Sequence, residues 1–410
     1  MLEKGSNKMT LRNRAVTTVY LAYSIQAMAQ AIIWQWMTFF VKHDLFVEDF
    51  LVLTFAWSAP AIVVMITTNV WGSISDRVGL RKPFMIVGFL GYASTFFFYA
   101  VVTDVLQFVI VGVVGAVFSS AALPMGQAHL TTGTEKKGER LGYFLAVQSG
   151  GWFLGSLSSG LLIDIIGLRP LFIFGGILGI IATASCIIYI RDIPFETRTR
   201  EDDKGIRELL RIPGMSRLVS AVGLSQIGMN SVSYVMAIII VDELGGLTAY
   251  VGFANSGATI IAVLVTGYIG KIVDKRGPVK VLISAFVAYA LFATGFALVT
   301  DPIAAMILWA FPIYPLSSTA ANALAAYITG EDERGRAMSL IYGAQNAGTF
   351  AGPIIGGVFA QFLFGAVQPI SWINLAFNLV ALVLGISLLS IVGNGRSTDL
   401  ASTEDMKQTG

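Results

Sequence analysis

The stretch Gly72-Ser73-Ile74-Ser75-Asp76-Arg77-Val78-Gly79-Leu80-Arg81-Lys82 returns 198 residues later as Gly270-Lys271-Ile272-Val273-Asp274-Lys275-Arg276-Gly277-Pro278-Val279-Lys280. Each copy joins two apolar runs and carries glycine, an acid and basic residues in the same order. A second matched set gives nearly the same offset: Gln148, Gly151, Gly155 and Gly160 recur 197 residues on as Gln345, Gly348, Gly352 and Gly357. Two independent sets at one offset, close to half of 410 residues, make this chain two copies of one unit. Internal duplication inside apolar sequence is a common way to build a membrane-embedded bundle.

Composition agrees. Hydrophobic residues make up 55% of the chain and charged residues 13%, with a mean hydropathy of +0.73, well outside the range of an average soluble domain. A spanning helix needs roughly 20 mostly apolar residues. Twelve such stretches lie near 15–40, 50–71, 83–103, 105–132, 141–164, 170–190, 216–241, 248–269, 278–300, 302–328, 337–364 and 369–392, six in each half. Alternating patterns of a membrane β-barrel are missing, so the fold class is an all-α membrane protein of two pseudo-symmetric six-helix bundles.

The expected division is a cytoplasmic N-terminus over 1–14, a first bundle over 15–190, a linker over 191–215, a second bundle over 216–392 and a tail over 393–410. Ile206, Leu209, Leu210 and Ile212 are expected to form one or two interfacial turns within the linker. The polar tail is expected to be disordered. Met1 to Thr10 lacks a short apolar core, so no cleaved signal is expected. With an even number of spans the termini share a side. Every Lys and Arg except Lys42 and Arg169 falls on that side, which is therefore cytoplasmic by the positive-inside rule. The net charge of +2 hides this asymmetry, and the basic loops are topology signals, not a nucleic-acid patch. Cys186 is the single cysteine, which excludes an intrachain disulfide and a cysteine metal cluster. No metal, cofactor or enzymatic activity is expected, since a phosphate-binding glycine loop is also missing. The expected partners are the lipid bilayer and a small-molecule solute, with the protein a monomer in the inner cell membrane.

The Gly72 to Lys82 loop between spans two and three resembles the signature loop of the major facilitator superfamily, Gly-x-x-x-Asp-Arg-x-Gly-Arg-Arg, with Leu80 in place of the usual Arg. Its weaker copy after span eight fits the same family. The resemblance implies a secondary transporter working by rocker-switch alternating access, with Gly72, Asp76, Arg77, Gly79, Arg81, Lys82, Gly270, Asp274, Lys275 and Gly277 as a conformational motif. It further implies that Asp76 meets the start of span eleven near Ala337, and that Asp274 faces the start of span five near Leu141. Physically, Gly79 and Gly277 permit tight turns, and Gly72 and Gly270 allow close helix approach.

Span one carries Gln26, Gln30 and Trp34; span seven carries Gln226, Asn230 and Tyr234 at an offset of 200. The i, i+4, i+8 spacing puts each triplet on one helix face. In the family, spans one, four, seven and ten line the cavity, so the resemblance places these two triads across the pathway, as substrate ligands or as interhelical glue. Asn255, Asn322, Gln345 and Asn346 are weaker candidates. Pro124, Pro312 and Pro315 mark bends in spans four and ten. The small-residue spacing of spans five and eleven is read as helix packing.

No carboxylate stands in the middle of a span, and Val111 occupies the place of an arginine that many drug/proton exporters of the family carry. His129, near the inner end of span four, is the one titratable coupling candidate. The expected substrate is therefore a neutral or lipophilic organic solute. The alternatives are a proton-coupled multidrug or metabolite efflux antiporter and a non-transporting sensor of the same fold.

Overall fold

The computed structural model describes residues 2–132, 134–192, 206–330 and 333–408, and side chains over 16–132, 134–192, 207–330 and 333–390. Among the described residues all regular structure is helical. Ten helices are long and apolar enough to cross a membrane. They are span one (Val16–His43), two (Phe50–Val78), four (Val105–Thr131), five (Lys137–Ile166), six (Leu168–Tyr189), eight (Thr248–Arg276), nine (Pro278–Leu298), ten (Pro302–Ile328), eleven (Arg334–Phe364) and twelve (Gln368–Ser390). Span seven is the pair Met215–Ser233 and Met236–Glu243, bent by 45°. Lys82–Tyr99, the helix in the place of span three, is the shortest and is not among those apolar enough to cross; it packs against spans four and six.

Local signals explain the span starts. Asp49, Asp104 and Asp301 accept the free amides at the head of spans two, four and ten, from Leu51, Gln107 and Ala304 at 2.8 to 2.9 Å. Asp104 and Asp301 are 197 residues apart, so the cap is part of the repeated unit. Gly79 has φ +73° and Gly277 φ +85°, as tight turns after spans two and eight require. The linker residues 193–205 lie outside the described residues; beyond them Ile206–Leu210 is a short helix with Leu209 buried. The tail does not end where apolar sequence does: the last helix runs on to Gln408. Its backbone carries the hydrogen-bonded ladder past the apolar stretch, which composition alone does not foresee.

Spans one, four, seven and ten are all broken. The interruptions fall at Gln35 and Trp36, between Ser119 and Ala122, at Tyr234 and Val235, and between Trp309 and Tyr314. Pro124, Pro312 and Pro315 sit at two of them. The other two carry no proline.

Buried apolar side chains form three clusters, and their division defines the shape of the bundle. One cluster, around Tyr23, Met85, Phe89 and Phe144, belongs to the first half; another, around Met215, Leu282, Leu324 and Ile341, belongs to the second. The third, with Phe40, Leu53, Ile163, Ile240, Val251 and Ile370, is built from both halves. The halves therefore share a core at one end, the sealed end, and keep separate cores at the other, the basic end carrying Arg81, Lys82 and Lys275.

Candidate functional site

Glycine governs how closely the halves approach. A Cβ added at Gly151 or Gly155 would overlap span one, and one at Gly348, Gly352 or Gly356 would overlap span seven, so both glycine rows are packing surfaces within a half. Gly160 meets Gly252 of span eight, and Gly357 meets Thr54 of span two; these contacts join the halves. Toward the basic end of the same four spans, a Cβ at Gly72, Gly142, Gly267, Gly270 or Gly343 would meet nothing within 4 Å. The close approach expected of Gly72 and Gly270 is therefore not made in this state, because the spans diverge there.

Polar bonds across the halves cluster at the sealed end. Lys42 Nζ reaches Asp242 Oδ2 at 2.5 Å, and His43 Nε2 lies 3.0 Å from both Asp242 oxygens. The Phe50 amide donates to Gln361 Oε1 at 2.9 Å, and Thr248 Oγ1 donates to Asp164 Oδ2 at 2.7 Å. Thr54 Oγ1 is 3.0 Å from the Tyr234 hydroxyl and donates to the Pro353 carbonyl at 3.3 Å. Thr38 donates to the Tyr234 carbonyl, a group that the break of span seven leaves out of the helical ladder.

Gln35, at the break of span one, joins three spans within the seal. Its Nε2 donates to the Ser156 carbonyl at 3.2 Å and to the Ser159 hydroxyl, both on span five. Its Oε1 accepts from Asn255 Nδ2 of span eight at 2.9 Å. Asn255 Oδ1 in turn accepts from the Trp309 indole of span ten at 3.2 Å.

The two expected triads part company. Gln26 is 2% exposed, and neither of its amide atoms has a hydrogen-bond partner. Gln30 is partly exposed and lies near the Tyr92 hydroxyl of span three. Trp34 is half-exposed and stands edge-on to Trp57, centroids 4.7 Å apart. Asn230 bonds the Gln226 carbonyl at 2.9 Å, and both lie beside the glycine row of span eleven. Tyr234 is buried inside the seal, at the point where the helix carrying Gln226 and Asn230 ends. Deeper in the second half, Ser225, Asn374 and Asn378 form a buried polar ladder between spans seven and twelve.

In the signature loop, Asp76 Oδ1 pairs with Arg81 Nη2 at 2.7 Å, and Arg81 also bonds Ser75 Oγ at 2.9 Å. The structure thus gives Asp76 a partner in its own loop where the start of span eleven was expected, since the spans stand apart at this end. Asp274 is exposed. Asp192, which the sequence reading passed over, accepts the Arg81 and Lys82 amides at 3.0 and 3.1 Å and so caps span three. His129 is buried with Nδ1 unpartnered. A cavity of about 350 Å³ opens between spans four and five, lined by Pro124, Gln127, Ala128, Thr131, Leu141 and Leu145, and His129 is not part of its lining. Among the described residues no three His, Cys, Asp or Glu side chains are placed to hold a metal ion.

The seal residues Thr38, Thr54 and Gln35 escaped the sequence reading. Lys42 and Asp242 did not have to: opposite charges at the same offset of 200 as the two triads were a usable signal.

A sequence model described as the Major Facilitator Superfamily matches residues 19–318 and 218–404. An uncharacterized MFS-type transporter of Methanocaldococcus jannaschii is 26% identical over 300 residues, covering 71% of this chain and 78% of that one. The multidrug resistance protein MdtG of Enterobacter lignolyticus is 26% identical over 354 residues, covering 82% and 81%. Among solved structures, a bacterial homologue of the human lysosomal transporter Spinster superimposes with a TM-score of 0.73 at 14% identity, over 92% of this chain and 96% of that one. The nucleoside transporter NupG gives 0.72 at 13% identity, over 92% and 99%. These likenesses show the fold, and the family is one of transporters.

Proposed function

Because the chain belongs to the Major Facilitator Superfamily, we propose that it moves a small neutral or lipophilic organic solute across the cytoplasmic membrane by alternating access between its two bundles. The observation that carries this reading is the asymmetry of the cores: one shared cluster at the sealed end, two separate ones at the basic end. Such a molecule has an opening on one side only. Its second state follows from breaking the seal and closing the basic end, where Asp76 would exchange Arg81 for the head of span eleven. By the positive-inside rule the basic end and both termini are cytoplasmic, so the structure is inward-facing. The solved Spinster homologue is likewise inward-facing.

The neutral character of the solute rests on the spans themselves, since a fixed charge on the solute calls for a buried counter-charge. Gln30, Gln226 and Asn230, partly exposed, and Trp34 supply amides and an aromatic face for such a solute. Proton-coupled efflux is the second reading, favoured by the multidrug resistance relatives. His129 is its coupling candidate.

Proteoliposomes holding the purified chain test both. Flux of a neutral lipophilic dye above that of empty vesicles is expected, with Gln30→Ala and Asn230→Ala raising the apparent KM by about 5- to 100-fold through lost hydrogen bonds. Flux equal to that of empty vesicles rejects transport in favour of a sensor. Strong uphill transport under an imposed pH gradient, abolished in His129→Gln, selects the efflux reading.

A further inference from the structure

Gln35 and Asn255 bridge the halves side chain to side chain. Gln35 lies eight residues below the sealed end of span one and Asn255 seven below that of span eight, so each is about 10 to 12 Å into the bundle at 1.5 Å per residue. Together they touch spans one, five, eight and ten. Both are partly exposed, as is Trp309. Gln35 also marks the break of span one, and interrupted membrane helices characteristically supply solute contacts at such depth.

The hydrogen bonds set up a conflict. In the sealed state the Gln35 and Asn255 carboxamides bond each other, with the Ser156 carbonyl and Ser159 on Gln35 and the Val251 carbonyl and Trp309 on Asn255 completing the set. Spans one and eight belong to different halves, so opening the seal separates them. Each carboxamide then gives up a preorganised partner, a cost that water entering the opened seal meets only in part. A solute offering both a donor and an acceptor removes that penalty by taking the place of the opposite amide. One that offers only an acceptor answers Asn255 Nδ2 and leaves Gln35 Oε1 without a donor. A solute can shift the equilibrium only through such a difference between states.

We propose that Gln35 and Asn255 form a solute-binding site between the halves at the inner side of the seal. Its ligand class is neutral aromatic or apolar molecules bearing a carboxamide, or an equivalent adjacent donor and acceptor, with the apolar body against Trp309. The proposal rests on the transport reading above and deepens it. It makes Gln35 and Asn255 specificity determinants that exchange each other for the solute.

The test uses the full chain with Asp164→Cys and Thr248→Cys, whose native side chains touch across the seal at 2.7 Å. Disulfide yield reports the sealed state, and native Cys186 is buried. Benzamide, carrying donor and acceptor, is expected to lower the yield at least two-fold; methyl benzoate, an ester with no donor, is expected to leave it unchanged. Gln35→Ala should remove the benzamide effect, and Asn255→Ala should reproduce this from the other half if the first variant fails to fold. Ser58→Ala is the control, since it deletes another bond across the halves, from Ser58 Oγ to the Phe350 carbonyl at 3.3 Å. It should lower the starting yield yet keep the discrimination between the two probes. A benzamide response equal to that of methyl benzoate, or undiminished in both alanine variants, overturns the site. Dye flux in proteoliposomes, measured on the same preparations, separates that result from a failure of the transport reading.

Discussion

Gly160 of span five and Gly252 of span eight approach so closely that a Cβ on Gly160 would stand 2.7 Å from the Gly252 Cα. Their counterparts in the repeat are Gly357 and Thr54, 197 and 198 residues away, and these two also touch. The hydrogen bonds one turn further out repeat as well, Thr248 to Asp164 matching the Phe50 amide to Gln361. The seal is thus one contact made twice. Gly160→Ala is expected to push the spans apart and favour the unsealed state, by roughly 1–3 kcal/mol, or about five-fold to a hundred-fold in population. Cysteine cross-linking across the seal measures it, and an undiminished yield would count against this. Gly267→Ala, where a Cβ meets nothing within 4 Å, should leave the sealed population unchanged or raise it.

Lys42 and Asp242 have side chains 26% and 17% exposed, so their pairing is only partly screened. Lys42→Ala should weaken the seal by about 1 kcal/mol or less, a few-fold change. The informative variant exchanges the charges: Lys42→Asp with Asp242→Lys should recover most of the flux lost in Asp242→Lys alone. No recovery would show that the pair does not act as a charge contact.

Asp76→Asn is expected to cut transport severely while leaving protein yield intact. The carboxylate is 57% exposed and its Arg81 pair is a surface ion pair, worth about 0–1 kcal/mol. Its importance lies in the state where the basic end closes. Asp274→Asn should be milder. Normal flux with unchanged populations in Asp76→Asn would remove the conformational role.

Asp44, between spans one and two, gives a pH-dependent signature. Burial lifts its carboxyl above the ordinary range, opposed by the neighbouring Arg169 guanidinium, 3.7 Å away, and by His43. A carboxyl raised in the folded state costs stability once pH exceeds the ordinary aspartate value of 3.8, and the cost is relieved as pH falls through the raised value. Asp44→Asn should therefore raise the melting temperature at pH 7 by about a degree or two and leave it unchanged near pH 3. A lower melting temperature at pH 7 would mean that the Arg169 pairing outweighs burial.

The spans, the duplication, the turn glycines and the packing rows of spans five and eleven are legible because each is a local rule: run length, φ beyond the reach of most side chains, or small residues at helical spacing. The breaks at Gln35 and Tyr234 are not. Neither carries proline, and the freed Tyr234 carbonyl is satisfied by Thr38 from the other half. A break also turns the helix face, so a stripe at i, i+4, i+8 holds only while the helix is continuous. The row of Gln226 and Asn230 therefore ends at Tyr234, in the seal, and Gln35, off the stripe, becomes the bridging amide.

Lys42 and Asp242 occupy the same place in the two copies and pair with each other. Residues related by the internal duplication meet in this way only beside the axis relating the halves, where each copy faces itself. An undiverged duplicate would set lysine against lysine there, or aspartate against aspartate, and the repulsion would hold the end open. The closure of this end therefore depends on the two copies having become different. A chain rebuilt from either half used twice would keep the fold and lose the attraction that shuts it.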